Sequence, residues 1–406
     1  SALLASLAPI AATAEPGSIE TLVVRAAREP LPIDASGSAI SVLDAEQLER
    51  RQSAALSEIL RSLPGVAISR AGVTGSQTQL RLRGSESNHV LVFIDGVRAN
   101  DPAQNGEFNF AHLLNADLES VELIRGPQSA LWGSDAVSGV LNIQTRRGQD
   151  GLRGQAFAEG GDNGWQHVGA GANYGDERLR LSFSVNDLET DGENISRQGG
   201  EDDGYENTTV NTTFDLAVTE ALQLSGSLRY VDANNEFDGI DFSTGLPTDT
   251  ADESDVEQWY GRLAASLDTL DGRWRHSVAW ARTDTDNENL TENAFAPTGF
   301  DLYTTDAQVD VITLQTSFDI IEGHTVTAAF ERIEEDFRQR GPVGFGDPNR
   351  DEDIDSDSLV GEYRARLSDI LFLQASVRHD DNSDFDDKTT GRVSGRWQAL
   401  PATTLR

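Results

Sequence analysis

Carboxylates are the side chains whose types and spacing most plainly invite chemistry. Glu201-Asp-Asp-Gly-Tyr205 groups three acids in one polar stretch, with Asp191 upstream, and the next polar stretch carries Asp232, Asp238 and Asp241. Hard calcium takes about six to eight oxygen ligands. Two neighbouring loops could supply them from Asp191, Glu201, Asp203, Asp232, Asp238 and Asp241. Solvated acidic loops would use the same residues, and the spacing leaves both readings open. Other chemistry is absent. There is no Cys, so disulfides, thiolate metal sites and Cys nucleophiles are excluded. The six His are scattered singly, and no P-loop, HExxH, nucleophile elbow or EF-hand loop occurs. Gly169-Ala-Gly171 lies in a strand pattern and not before a helix. No enzymatic activity is expected.

With 68 acidic and 32 basic side chains the formal charge is −36. A nucleic-acid partner is excluded, because a polyanion needs a Lys/Arg surface that releases its counterions. No apolar run is long enough for a membrane-spanning helix. The mean hydropathy of −0.42 would suit a soluble protein, but strands of a membrane barrel average out similarly, since alternate residues face a wet lumen. Residues 1–14 end in Ala12-Thr13-Ala14, an apolar stretch followed by a small-x-small pattern, and read as a signal-peptide remnant.

The elements that must position these residues change character near residue 150. Residues 37–150 mix helix and strand signals, as in a compact α+β domain. Asp44 with Gln47 reads as a capping box. Leu56, Ile59, Leu60 and Leu63 have helical spacing over 53–63, ended by Pro64-Gly65. Val90–Ile94 is an apolar run closed by Asp95-Gly96, a hairpin turn. Residues 118–124 and 137–143 are further strand or helix pieces.

From residue 151 to 406 apolar and polar residues alternate. Leu179, Leu181, Phe183 and Val185 share one face; Arg180, Ser182, Ser184 and Asn186 share the other. Leu222, Leu224, Leu228 and Tyr230 alternate in the same way with Gln223, Ser225, Ser227 and Arg229. Short turns fall near 175–177, 219–221, 270–272, 320–323 and 369–370. Long polar loops are expected at 189–205, 232–256, 285–303 and 338–354. Loops sorted by length onto two ends point to a membrane-spanning antiparallel β-barrel rather than a sandwich. About twelve strands are present. A barrel of twelve is too narrow to hold the first domain, so further strands are expected beyond Arg406.

Within the first domain, Leu60-Arg-Ser-Leu-Pro-Gly-Val66, Arg81-Leu-Arg-Gly84, Val90-Leu-Val-Phe-Ile-Asp-Gly-Val-Arg98, Val121-Glu-Leu-Ile-Arg-Gly-Pro-Gln-Ser-Ala-Leu-Trp-Gly-Ser-Asp-Ala136 and Gly139-Val-Leu-Asn-Ile-Gln-Thr145 resemble, in order, the plug of TonB-dependent outer-membrane receptors. Glu20, Thr21, Leu22, Val23 and Val24 resemble that family's TonB box, within a linker spanning 15–36. β-Branched residues between Pro16-Gly17 and Pro30 suit a segment that adds to a partner's sheet edge. The resemblance implies an α+β plug inside a barrel of 22 strands, in the outer membrane of a Gram-negative bacterium. It also implies a TonB complex as periplasmic partner, outer-membrane lipid around the barrel, and import of a scarce nutrient.

Within the family the likeness is nearest to the members that carry cobalamin (vitamin B12), through Thr21–Val24, Ser87–Val92, Gly133–Ala136 and Arg378–Ser383. A ferric siderophore or haem is the alternative cargo. By position in the resemblance, Gln77, Gln79, Glu86, Gln104 and Asn105 would touch cargo. Calcium would sit in the two acidic loops, and Arg83 and Arg125 would hold the plug to barrel-wall Glu.

Overall fold

A computed structural model of the chain describes residues 23–24, 27–196, 200–241, 243–343, 346–400 and 403–406. The expected signal-peptide remnant and Glu20, Thr21 and Leu22 of the expected box lie outside these residues.

The first part of the chain contains β1 (Val23–Val24), β2 (Leu31–Pro32), β3 (Ala39–Asp44), α1 (Ala45–Arg50), α2 (Leu56–Leu60), β4 (Val66–Arg70), β5 (Thr78–Leu82), β6 (Val90–Ile94), β7 (Val97–Arg98), β8 (Leu118–Arg125), α3 (Ser129–Trp132) and β9 (Gly139–Thr145). One sheet runs in the order β3-β8-β9-β6-β7, parallel only between β6 and β9, while β4 and β5 form a separate hairpin. Local chemistry explains much of this. Asp44 accepts from Gln47 N at 2.8 Å to start α1. Asp95 and Gly96 both take positive φ, 51° and 82°, and turn β6 into β7. The helix expected over 53–63 is shorter. Ala55 bridges to Leu114, Leu56 N bonds Leu113 O, and the chain after Leu60 tightens into Leu63 N to Leu60 O at 2.9 Å. Tertiary pairing overrides the helical spacing at both ends. The core gathers Leu56, Leu80, Leu82, Val121, Leu123 and Leu141, all buried, and extends to Tyr260 and Ala281 of the wall described next.

That wall is an antiparallel sheet in strict sequence order: β10 (Gly151–Gly160), β11 (Gln166–Gly175), β12 (Leu179–Thr190), β13 (Tyr205–Ala217), β14 (Leu222–Asp241), β15 (Leu246–Thr269), β16 (Trp274–Glu292), β17 (Phe300–Ile321), β18 (His324–Arg340), β19 (Arg350–Ser368), β20 (Leu371–Asn382), β21 (Lys388–Leu400) and β22 (Thr403–Leu405). Among the described residues β10 and β22 are its edges, so the wall is an open arc of thirteen strands, one more than expected. The short turns fall where the sequence puts them. The long loops largely do not. β14 and β15 stay paired to Asp241 and Leu246, and β16 and β17 to Glu292 and Phe300. Polar stretches read as loops are tall two-stranded extensions, because ladder bonds continue where both faces meet water. The expected loop at 189–205 is matched by the longest gap between successive wall strands, from Thr190 to Tyr205.

Alternation assigns the two faces. On β13, Asn207, Thr209, Asn211 and Thr213 are buried against the first domain, while on β14 Arg229, Val231 and Ala233 point inward. Leu228, Leu263, Leu314, Leu359 and Val377 point outward and stay exposed. Aromatic side chains edge this belt, with Tyr230, Trp259 and Trp280 toward the hairpin end and Tyr174, Trp274 and Trp397 toward the turn end. This is the arrangement of a lipid-facing barrel exterior.

Candidate functional site

At the hairpin end two cavities flank an apical loop of the plug. Asp101 caps the loop by accepting from Ala103 N at 2.8 Å, Pro102 fixes its first position, and Asn105 takes a left-handed φ of 55°. On one side is a cavity of about 350 Å³ lined by Gln77, Gln104, Asn109, His112, Asn235, Phe237, Asp238, Asn287 and Asn289 among others. Its lining is rich in carboxamides and, among the described residues, holds no Lys or Arg. Gly75 makes the seam with the wall possible. Its φ is +87°, and a Cβ there would stand 2.3 Å from the Tyr205 ring. Tyr205 OH lies 3.2 Å from His112 Nδ1, and Asn207 donates to Tyr205 OH at 3.1 Å. Burial pushes the His112 imidazole down to about 4, so it stands neutral in the cavity floor. On the other side is a larger cavity of about 810 Å³, whose lining includes Asn105, Arg98, Arg378 and Lys388 together with Asp135, Glu335, Glu352, Asp380 and Asp386.

Of the expected cargo residues, Gln77 and Gln104 line the first cavity and Asn105 the second. Gln79 instead donates to Glu107 at 2.6 Å, bracing the apical loop from below. Glu86 is exposed and lines neither cavity.

The acidic stretches come together only in part. Glu201, Asp203 and Asp238 gather, joined by Asp249 and Glu236, which sequence reading missed. Asp249 accepts from Gly200 N and Glu201 N, and Glu236 from Gly204 N. Burial and then the Asp238 charge push Asp203 up to about 6. Burial followed by neighbouring acids also raises Glu201 and Asp238. Asp203 Oδ2 and Asp238 Oδ2 are buried without a hydrogen-bond partner. Asp191, Asp232 and Asp241 stand apart. Asp232 accepts from Tyr230 OH on the outward face, and Asp241 is spent on the turn at Ser243. In the strand that replaces the expected loop, Asp232 and Asp238 would share a face, but the register shifts between Phe237 and Gly239, which separates Asp238 from the outward-facing Asp232. The orphaned oxygens suit a hard cation. Among the described residues, however, no three His, Asp or Glu side chains already stand at coordinating spacing.

At the turn end the chain after Val24 is strapped to the wall. β1 pairs with β2, Val24 opposite Leu31. Between them Arg28 N donates to Glu362 Oε2 at 3.0 Å, and Arg28 Nη1 to Glu331 Oε2 at 3.1 Å. The guanidinium also lies 4.7 Å from the Trp132 ring centroid. Glu29 accepts from Gln315 at 2.8 Å and Ser317 at 2.9 Å, and its carbonyl accepts from Arg364 at 3.2 Å. Glu331 is shared. Its other oxygen accepts from Arg378 Nη1 at 3.0 Å, and Arg378 lines the larger cavity. One buried carboxylate therefore joins the strap to the cargo end.

Residues 32–140 match the TonB-dependent Receptor Plug Domain family. Residues 32–140 are thus a plug domain of the TonB-dependent receptor family. It is 26% identical to the vitamin B12 transporter BtuB of Vibrio vulnificus (strain CMCP6), over 95% of this chain and 62% of that protein. The chain thus spans about three-fifths of the length of this relative. In fold it is similar to the siderophore receptor PirA of Acinetobacter baumannii, with a TM-score of 0.73 at 18% identity over 90% of this chain and 59% of that one. It is similar also to the ferric enterobactin receptor PfeA of Pseudomonas aeruginosa in complex with enterobactin, with a TM-score of 0.73 at 17% identity over 91% and 62%. The receptor is an outer-membrane protein of a Gram-negative bacterium, and its family is one of transporters rather than enzymes.

Among the described residues, two largely buried ion pairs hold the plug to the thirteen-stranded wall. Arg229 pairs with Asp117, both fully buried. Arg98 bridges Asp135 and, at 3.3 Å, Glu335. Arg83 and Arg125 reach no wall carboxylate among the described residues. Arg125 donates to Pro64 O at 3.1 Å, beside the exposed Arg83, on a plug face that the thirteen strands leave uncovered. Composition alone could not single out Arg28, Glu331 or Arg378, since Arg28 lies 303 residues before Glu331, and Glu331 47 before Arg378.

Proposed function

We propose that this receptor takes up a scarce nutrient by energy-coupled import, with cobalamin as cargo. The observation that carries the coupling is Glu331, held at once by Arg28 beside the box and by Arg378 in the cargo cavity. Cargo that draws Arg378 toward itself and carries the bonded Glu331 carboxylate with it moves Glu331 away from Arg28. The strap at 27–29 then loosens, and Glu20–Val24 become available to a TonB complex that pulls from the periplasm. A ligand shifts such an equilibrium only by its differential affinity for the two states, and the shared carboxylate supplies that difference.

The cavity chemistry supports the cargo. Corrin rings carry amide arms, and the smaller cavity offers carboxamides and a neutral His112, with no cationic side chain among its described lining residues. In the larger cavity five acids outnumber three bases. A trianionic ferric catecholate would face net like charge there. Calcium is proposed to bind at Glu201, Asp203 and Asp238 with Asp249, drawing the 191–204 segment over the cavity, and Asp191 is proposed to join them when it closes. A ferric siderophore is the second reading, favoured by the three cations of the larger cavity.

Uptake into cells that lack their own cobalamin receptor and express the full-length protein tests the proposal. Cyanocobalamin should accumulate, and dissipating the proton gradient should stop it. Uptake that survives the uncoupler contradicts energy coupling. Accumulation of a ferric catecholate and not cobalamin favours the second reading.

A further inference from the structure

We propose that the hairpin joining β20 to β21 recognises the nucleotide arm of the cargo, an aromatic base carried on a single phosphodiester, and that Phe385 and Lys388 make that selection. The inference rests on the cobalamin reading and deepens it. The smaller cavity takes the amide-armed ring, and the larger one takes the base and the phosphate. Phe385 and Lys388 both line the larger cavity, together with Asn105 and Gly106 of the apical loop and the 133–135 turn. A cargo that fills both cavities straddles that apical loop.

The hairpin backbone is held from two sides. Asn382 Oδ1 accepts from Asp384 N at 3.0 Å and from Phe385 N at 3.2 Å. Ser383 N donates to Asp355 O at 3.0 Å and Asp355 N to Ser383 Oγ at 3.0 Å, pinning the tip to β19. Phe385 is nevertheless 69% exposed. A ring on a fixed backbone, left uncovered in a cavity, is a stacking platform for a base. Three residues on, Lys388 lies opposite Asp380 in the register. That carboxylate is already held by Arg378 Nε and Ser358 Oγ, and the Lys388 ammonium makes no ion pair or hydrogen bond among the described residues. The other two cations of the cavity are spent, Arg98 on Asp135 and Glu335, and Arg378 on Glu331 and Asp380. Lys388 is also the one lysine among 32 basic residues. A guanidinium there would fork onto a carboxylate such as Asp386, whereas an ammonium on a flexible stem meets phosphate as a point charge. One free cation suits one phosphodiester charge, while Glu352 and Asp386 in the same lining repel a cargo that carries several.

The test is calorimetric titration of the full-length receptor in detergent with cyanocobalamin and with dicyanocobinamide, which keeps the ring and its amide arms but lacks the base, ribose and phosphodiester. The unaltered receptor should bind cyanocobalamin about a hundredfold more tightly, the product of one stacked base and one charged hydrogen bond. Phe385→Ala and Lys388→Gln should each weaken cyanocobalamin by about tenfold and leave dicyanocobinamide within about twofold. Unchanged dicyanocobinamide affinity also shows that each variant is folded. Equal affinity of the unaltered receptor for the two corrinoids, or equal losses for both in the variants, overturns this inference and leaves the cobalamin reading standing. Binding of neither corrinoid overturns the cobalamin reading and this inference with it.

Discussion

Removing Arg28 perturbs the coupling element at its least ambiguous point. Its side chain is almost fully buried, and Arg28→Ala deletes the charged hydrogen bond to Glu331, the bond to Leu131 O and the stacking on Trp132. Glu331 is not stranded, because Arg378 still holds its other oxygen. The cost therefore falls on the docked strap and not on the barrel. A hydrogen bond to a charged group contributes about 1.5–3 kcal/mol, and a desolvated cation–π contact about 1–2 kcal/mol. Taking about 3 kcal/mol together, the docked-to-free ratio of the strap should fall by roughly a hundredfold. Residues 1–406 hold no cysteine, so Val23→Cys in the full-length protein, with any cysteine beyond Arg406 replaced, gives a single spin-label site. In the Arg28 background the label should become mobile without cargo, to the extent that cargo produces in the parent. A label equally immobile in both backgrounds would refute the role of Arg28 and Glu331 in holding the strap.

Other outcomes follow from the same geometry. Asp117→Asn should destabilise the plug–wall seam by about 3–5 kcal/mol, because it leaves Arg229 buried without its counter-charge; a thermal midpoint unchanged from the parent would contradict that. Gly75→Ala should weaken cargo affinity, since its Cβ would collide with Tyr205 and Asn235 and push the 71–76 loop into the cavity; titration of the purified variant checks it. The raised Asp203 carboxyl gives a pH dependence. The folded state binds more protons than the unfolded one, so this group's contribution is present below its ordinary value near 3.8 and is lost as pH rises through about 6. In the absence of divalent cations, thermal stability should therefore decline from pH 5 to pH 7, and Asp203→Asn should flatten the decline. Calcium should restore stability at pH 7 and lose affinity below about pH 6, which calorimetry at the two pH values would read.

The sequence announced the two-part architecture because its signals are local. Capping at Asp44, the Asp95-Gly96 turn and the strand alternation of Leu179–Val185 each depend on neighbours a few residues away. The cavity apex was legible at Gln77, Gln104 and Asn105 because they lie on plug loops at the hairpin end, but Gln79 faces Glu107 by strand alternation within β5. The tall hairpins were hidden, since polar residues of both faces look like loop until the ladder is seen. That error also scattered the acids. Register across β14 and β15 brings Asp249 to Asp238 and turns Asp232 outward. The Arg28–Glu331–Arg378 chain was not legible at all, because it joins three segments far apart in sequence through a single buried carboxylate.

The central claim, a cobalamin cargo recognised at an amide-lined cavity beside an acidic cation site, is tested most directly by calorimetric titration of the full-length receptor with cyanocobalamin, with and without calcium. Tight binding is expected, weakening when calcium is chelated and when Asp203 and Asp238 are both changed to Asn. Absence of cobalamin binding in either condition, with tight binding of a ferric catecholate, would contradict it.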